Sequence, residues 1–236
     1  MTAAVSVAAR IGARSVAPPR LYVIADLDLL GARELPGAVA AMADAGVRWI
    51  QLRAKGCGGA ELLALAEVCC RAVEASGATL WIDDRVDVAA LLPVGGVHLG
   101  QGDLPPAAAR PLLPASTLVG ASTHDLAQLA AAAADTAVDV IAVGPVFPTA
   151  SKASPDPLVG LDTVRQGRRL TDKPLVAIGG IDESNLGAVL AAGADTVAVL
   201  SAVCRPRGEI VAALPIVSRG EIAARCRTLL AAAAAA

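Results

Sequence analysis

Residues 184–200 have the sequence SNLGAVLAAGADTVAVL, and the order of residue types in this stretch decides the fold. The first half, Ser184–Ala192, is rich in Ala and Leu at the spacing of a helix. Gly193 follows, and a glycine just past a helix end adopts the left-handed conformation that turns the chain back. The second half, Asp195–Leu200, is almost continuously apolar, which is typical of a strand buried on both faces of a parallel sheet. The stretch therefore predicts one helix, turn and strand of an α/β fold.

This unit recurs along the chain. Ala45-Gly46-Val47 and Ser76-Gly77-Ala78 repeat the junction from a helix through a glycine to a strand. Other apolar runs predict strands over Leu21–Ala25, Val47–Leu52, Ala78–Ile82, Gly96–Leu99, Thr117–Gly120, Val138–Val143 and Pro174–Ile178. Further helices are predicted over Leu35–Ala45, Ala60–Ser76, Asp125–Thr136 and Leu158–Leu170. The connections around Asp87–Pro93 and Pro105–Leu113 are shorter and rich in proline.

Strands that alternate with helices at a mean spacing of roughly 25 residues are typical of a (β/α)₈ TIM barrel. A doubly wound open sheet is the alternative, but no G-x-G-x-x-G sequence opens the first helix. No linker divides the chain, so we predict a single α/β barrel domain over residues 20–230. Residues 1–19 are predicted to be a disordered tail or a transit peptide, and residues 231–236 a low-complexity alanine tail.

Composition excludes several classes of protein. The chain has 236 residues, of which 55% are hydrophobic and 18% charged, so it is not a disordered protein. A net charge of −2 without a basic run argues against nucleic acid as a partner. The longest charge-free stretch, Val88–Gly102, is too short to span a membrane. Five cysteines without a C-x-x-C spacing indicate neither a disulfide framework nor a zinc site, and they favour a cytoplasmic protein with reduced thiols.

Polar residues cluster after the predicted strands, where TIM barrels carry their chemistry. They are Gln51, Arg53, Lys55, Asp83, Asp84, Arg85, His98, Gln101, Asp103, Ser122, His124, Thr149, Ser151, Lys152, Gly179, Gly180 and Ser201. The chain has only three lysines, and two of them, Lys55 and Lys152, lie at these strand ends. Lys173 precedes a strand and is expected at the opposite end of the barrel. His98 and His124 are expected to line the site, whereas Trp81 and Phe147 are expected to serve in packing.

Asp84 and Asp103 follow adjacent strands, so their carboxylates can converge. Two carboxylates about 5 Å apart repel by about 3 kcal/mol at an effective dielectric constant near 20. A divalent cation relieves this repulsion, and Mg²⁺ prefers oxygen ligands together with phosphate oxygens from a substrate. The alternative for Asp84 is a helix N-cap before Val86. Together with Arg53, Lys55 and Lys152, the carboxylates favour a magnesium-assisted diphosphate site.

A second anion site is predicted after the last two strands. The loops there form the usual phosphate site of a TIM barrel. Gly179 and Gly180 allow backbone N–H groups to approach an anion, and Leu200-Ser201 can open a short helix. The residues therefore predict two phosphate-bearing pockets, one of them metal-assisted. No nucleophile, base and acid triad is visible.

Taken in order, these segments resemble the thiamine phosphate synthase family over about residues 20–204. The resemblance rests on Gln51-Leu52-Arg53-Ala54-Lys55, on residues 82–89, 96–103, 120–124 and 144–149 with Lys152, and on residues 177–181. Members of this family are (β/α)₈ barrels that join a hydroxymethylpyrimidine diphosphate to a thiazole phosphate. The resemblance implies a transferase of thiamine biosynthesis, in which pyrophosphate leaves before the thiazole nitrogen attacks a pyrimidine cation.

The resemblance also implies roles for single residues. The pyrimidine diphosphate would be bound by Gln51, Leu52, Arg53, Ala54, Lys55, Asp83, Ser122 and Lys152. The thiazole phosphate would be bound by Thr149, Ala150, Ser151, Gly180, Leu200 and Ser201. Asp84 and Asp103 would bind Mg²⁺. Arg53, Lys55, Ser122 and Lys152 would be catalytic, because neutralising the leaving group is the main catalytic device of such a reaction.

Two positions depart from the family pattern, and two other functions stay open. Asp83 stands where the family usually has Asn, and an added anion there would weaken diphosphate binding unless it is protonated or hydrogen-bonded away. Ser151 replaces a Thr and keeps the hydroxyl. The alternatives are an isomerase similar to the thiazole tautomerases, which need no metal-bound diphosphate, and a non-catalytic paralogue that binds thiazole or thiamine phosphate. The expected partners are small molecules, and an oligomer is possible.

Overall fold

The fold is a closed barrel of eight parallel strands that are hydrogen-bonded in sequence order, as predicted. It was obtained from a computed structural model that describes residues 18–149, 156–205 and 217–236. The strands are β1 Leu21–Asp26, β2 Trp49–Arg53, β3 Thr79–Asp83, β4 Gly96–Leu99, β5 Leu118–Thr123, β6 Val140–Val143, β7 Leu175–Ile178 and β8 Thr196–Val199. Because β8 pairs with β1, the alternative of an open sheet is excluded. Most of the predicted N-terminal tail lies outside the described residues.

Helices connect successive strands, and in the described residues two more helices come after the last strand. They are α1 Leu27–Asp44, α2 Gly59–Val73, α3 Val86–Ala89, α4 Pro106–Ala109, α5 Leu126–Ala134, α6 Gly160–Leu170, α7 Leu186–Ala191, α8 Ser201–Cys204 and α9 Arg219–Ala234. The two proline-rich connections contain the short helices α3 and α4, and α4 is followed by a 3-10 turn over Arg110–Leu112. Residues 231–236, which the sequence predicts to be an alanine tail, instead continue α9 as far as Ala234. Ala233 is buried in the core.

Both faces of the strands are buried, which explains why the strands are continuously apolar in sequence. One face packs against the helices in the main core. The other face fills the barrel with Tyr22, Trp81, Leu118, Val140, Ala142, Val176 and Ala198, next to Trp49 and Ile178. The ring centroids of Trp49 and Trp81 lie 4.9 Å apart, and that of Tyr22 lies 5.7 Å from Trp49. Large rings from the first strands are thus balanced by small residues such as Ala142 and Ala198 on later ones.

Gly96 makes room for the indole ring of Trp81, which is fully buried. An added Cβ at Gly96 would lie 2.5 Å from Trp81 Cε3. We therefore expect Gly96→Ala to lower the free energy of unfolding by about 2 kcal/mol, the usual effect of overpacking a core. Chemical denaturation would measure it. Gly102→Ala is the matched control, because a Cβ there meets nothing within 4 Å. Equal stability of the two variants would contradict this account of the barrel interior.

Lys173 lies at the N-terminal end of the barrel, as predicted. Its Nζ donates hydrogen bonds to the carbonyl oxygens of Ala132 (3.0 Å) and Asp135 (2.6 Å), so it stabilises the end of α5. None of the helices in the described ranges is long and apolar enough to cross a membrane.

Candidate active site

One cavity opens at the C-terminal end of the barrel, and most of the predicted site residues line it. Those residues are Gln51, Arg53, Lys55, Asp83, Asp84, His98, Ser122, His124, Thr149, Gly179, Gly180, Leu200 and Ser201. Ala150, Ser151 and Lys152 lie outside the described residues. The Leu52 side chain faces away from the cavity and is buried in the main core, because successive side chains of a strand point to opposite faces. Ala54 also packs against that core.

Lys55 lies among carboxylates at one side of the cavity. Its ammonium group is hydrogen-bonded to Asp84 and lies 3.6 Å from Asp83 Oδ2. Burial lowers the pKa of Lys55, but the hydrogen bond to Asp84 and the charges of Asp83, Asp84 and Asp103 more than offset this effect and raise it. Lys55 is therefore a fixed positive charge at neutral pH, with 48% of its side chain exposed to a ligand in the cavity.

Asp83, the departure from the family pattern, lies on the inner face of β3. Its Oδ2 is 3.8 Å from Arg53 Nε. Burial raises the pKa of Asp83 to about 7, and the charge of Asp84 acts in the same direction, while Lys55 and Arg53 oppose the shift. A large fraction of Asp83 is therefore neutral at neutral pH, so the added anion is weaker than the formal charge indicates.

Asp84 and Asp103 converge, as their positions after adjacent strands predict. Burial raises the pKa of Asp84 and the neighbouring Asp103 carboxyl raises it further, although the hydrogen bond from Lys55 opposes the shift. Asp103 Oδ2 also accepts a hydrogen bond of 2.7 Å from the Gly100 N–H. Asp84 does not cap α3, because the N-cap residue is Arg85 and no side chain caps that helix. The backbone of Asp84 has a φ of 61°, which is uncommon for a residue other than glycine.

This pair of carboxylates fits a divalent cation. Both are oxygen ligands, and a cation would oppose the burial and the neighbouring Asp103 carboxyl that together raise the pKa of Asp84. In the part of the chain that the structure describes, no group of three or more His, Cys, Asp and Glu residues is placed to hold a metal.

Asp26 is a functional candidate that the sequence analysis missed. It ends β1, is 3% exposed, and its carboxylate is paired with Arg53. The other carboxylate oxygen accepts a hydrogen bond of 3.2 Å from the Leu29 N–H at the start of α1. Asp26 therefore fixes the Arg53 guanidinium at the cavity. The rule applied to other strands would have found it, because Asp26 directly follows the first apolar run.

Two histidines border the middle of the cavity. His98 Nε2 lies 2.9 Å from Ser122 Oγ, so the ring orients that hydroxyl. His124 Nδ1 donates a hydrogen bond of 2.6 Å to the Gly144 carbonyl oxygen, and its Nε2 lies 3.5 Å from Asp156 Oδ2. Asp156 also lines the cavity and had no signal in the sequence, because it follows no strand directly.

The loops after β7 and β8, which the sequence predicts to bind a phosphate, line the same cavity. Gly179 and Gly180 have φ values of 103° and 63°, and a Cβ at Gly180 would lie 2.5 Å from the Pro148 carbonyl oxygen. This close approach leaves glycine as the residue that fits there. The short helix α8 begins at Ser201, beside these glycines. The cavity thus has an arm of cations and carboxylates at β2–β4 and a glycine and serine arm at β7–β8.

Comparison with known proteins agrees with this geometry. The family model for thiamine monophosphate synthase matches residues 21–203. The thiamine-phosphate synthase of Albidiferax ferrireducens is 43% identical over 83% of this chain and 89% of its own length. That of Koribacter versatilis is 44% identical over 78% of this chain and 88% of its own. The thiamine phosphate pyrophosphorylase of Pyrococcus furiosus superposes with a TM-score of 0.75 at 29% identity, over 92% of this chain and 96% of that chain. The chain therefore belongs to the thiamine monophosphate synthase family, and it is an enzyme that makes thiamine phosphate from small-molecule substrates.

Proposed function

We propose that this cavity joins a hydroxymethylpyrimidine diphosphate to a thiazole phosphate and releases pyrophosphate. One observation carries the proposal: a cluster of cations and carboxylates at β2–β4 and the loops with Gly179, Gly180 and Ser201 line the same cavity. An enzyme that only isomerises a thiazole phosphate needs the glycine and serine loops but not the cluster of cations and carboxylates. The five cysteines are all free thiols, which supports a cytoplasmic location.

The diphosphate would bind at β2–β4. Arg53 and Lys55 face it, Lys152 would join them, and the Ser122 hydroxyl would donate a hydrogen bond. Asp84 and Asp103 would hold Mg²⁺, which when bound neutralises charge on the phosphates. Asp26 keeps Arg53 in place, and His98 keeps Ser122 in place, so the donors are oriented before the substrate arrives.

The thiazole phosphate would bind across the cavity. Backbone N–H groups around Gly180 and Ser201 would bind its phosphate, with Leu200 and the segment Thr149 to Ser151 beside them. The apolar wall between the two arms consists of Ile24, Ala142, Val176, Ile178 and Ala198, and it suits two flat rings. The C–O bond to the diphosphate breaks and its electron pair leaves with pyrophosphate. The thiazole nitrogen then supplies the pair for the new C–N bond, and no proton has to be removed by a base.

Asp83→Asn tests the effect of the added anion on the diphosphate. We expect the KM for the pyrimidine diphosphate to fall about threefold, because the variant removes a partial negative charge beside Arg53 and Lys55. Steady-state kinetics at neutral pH would measure this. The KM for the thiazole phosphate serves as the internal control and should not move. A KM for the diphosphate that stays constant or rises would refute repulsion by Asp83.

The function itself is tested with purified protein, both substrates and Mg²⁺. Thiamine phosphate and pyrophosphate should form in equal amounts, and a chelator should stop both until Mg²⁺ is restored. Thiazole phosphate binding without product would instead identify a non-catalytic paralogue. Conversion of a thiazole phosphate isomer without the diphosphate would identify an isomerase.

A further inference from the structure

The short helix α8 depends on contacts with other elements for its position. It has four residues, Ser201–Cys204, and one turn of helix fixes several dihedral angles in return for very few hydrogen bonds. Its backbone bonds include Cys204 N–H to Leu200 O (2.8 Å) and Arg205 N–H to Ser201 O (3.1 Å). The carbonyl oxygens at its end need partners from outside the helix. Yet this helix places Leu200 and Ser201 at the proposed phosphate site.

Arg225 supplies those partners from α9. Its Nη1 donates hydrogen bonds to the carbonyl oxygens of Val203 (3.1 Å) and Arg205 (2.6 Å). Its Nη2 is paired with the carboxylate of Glu221, one turn earlier on the same helix. Arg225 is 6% exposed, and a buried guanidinium is costly unless its hydrogen bonds are made. A positive charge at the end of a helix is also electrostatically favourable.

We propose that Arg225 is a positioning residue for the thiazole phosphate, and this inference rests on the proposed function of the β7–β8 arm. The guanidinium fixes the end of α8, and the fixed helix holds the backbone of Leu200 and Ser201 against the phosphate. Arg225 acts through α8 because its Nη1 is committed to the two carbonyl oxygens.

The burial of α8 supports this role. Val203 and Cys204 are fully buried, and Cys204 Sγ lies 3.3 Å from the Ile24 carbonyl oxygen on β1. These contacts hold α8 against the barrel, and the Arg225 hydrogen bonds attach its C-terminal end to α9 as well. Arg225, Ser201 and Gly180 line a second cavity next to the active site. Arg225 therefore lies close to the loops that are proposed to bind the phosphate.

Arg225→Met tests the inference. We expect the KM for the thiazole phosphate to rise about tenfold, the effect of losing hydrogen bonds from a charged group. The KM for the pyrimidine diphosphate and kcat should stay within about twofold. The KM for the thiazole alcohol, which lacks the phosphate, should not change, because the alcohol does not use the phosphate site. Arg227→Met is the matched control, since Arg227 is exposed on the same helix.

Three further results complete the test. Ser201→Asp places a negative charge at the proposed phosphate site. It should raise the KM for the thiazole phosphate more than the KM for the thiazole alcohol. If it does not, the phosphate site assigned in the proposed function is wrong. Suppose that Ser201→Asp behaves as expected. If Arg225→Met then leaves the KM for the thiazole phosphate unchanged, or changes the KM for the phosphate and for the alcohol equally, the positioning role of Arg225 is wrong. Should Arg225→Met fail to fold, Glu221→Gln loosens the same guanidinium more gently, and it should raise only the KM for the thiazole phosphate. A thiazole phosphate KM that does not move in Glu221→Gln would overturn the inference.

Discussion

Replacing Lys55 with methionine is expected to lower kcat/KM for the pyrimidine diphosphate by about 10²- to 10³-fold, the range found when one preorganised donor to a developing negative charge is removed. The ammonium group of Lys55 lies between Asp83 and Asp84 and is half-exposed to the cavity. In the proposed reaction negative charge accumulates on the pyrophosphate as the C–O bond breaks, and we expect Lys55 to help neutralise it. Methionine is also unbranched, is one atom shorter than lysine, and removes the charge together with the hydrogen-bond donors.

Steady-state kinetics and thermal unfolding of the same samples separate catalysis from folding. Lys173→Met is the matched control, because Lys173 caps a helix at the other end of the barrel. That control should lower Tm and leave kcat/KM within about twofold of the parent enzyme. A Lys55→Met enzyme that is folded and loses less than about tenfold in kcat/KM would show that Lys55 does not face the leaving group.

The strands of this fold could be predicted because burial on both faces leaves a direct mark on the sequence. The start of α1 left no such mark: the helix begins at Leu27 rather than Leu35. Asp26 caps its first turn, and the backbone at Gly31 then leaves helical geometry at φ 69° and ψ 147°. The helical period is interrupted at that glycine, so the first turn could not be found from periodicity.

The part of the candidate site that directly follows the strands could be predicted, because a TIM barrel carries its chemistry at the C-terminal ends of its strands. That rule brought Lys55, Asp84 and Ser201 to one cavity, although they are far apart in sequence. Leu52 was included as part of a contiguous motif, but its side chain does not line the cavity, because the side chains of β2 alternate and Leu52 lies in the core. Arg225 could not be predicted at all. It lies in the last helix and reaches the site only through hydrogen bonds to another helix.

Asp84→Asn is expected to weaken activation by Mg²⁺ by about 100-fold in metal concentration, because replacing a ligand carboxylate removes a charge that the cation needs. Turnover at millimolar Mg²⁺ should fall with it. Asparagine suits this position because Asp84 has a φ of 61°, a conformation that Asn tolerates better than most residues. The variant therefore keeps the backbone and the size of the side chain, and it leaves Asp103 as the remaining carboxylate of the pair.

Binding of Mn²⁺, followed by electron paramagnetic resonance with pyrophosphate present, gives a measurement that does not depend on turnover. Affinity should fall in Asp84→Asn and Asp103→Asn and stay unchanged in Asp87→Ala. Asp87 is the matched control, because it lies in the same segment, is 64% exposed and is paired with Arg85 outside the cavity. If Asp84→Asn binds Mn²⁺ as tightly as the parent enzyme, the metal is not held between Asp84 and Asp103. The raised pKa of Asp84 would then reflect burial and its carboxyl neighbour alone, with no part in metal binding.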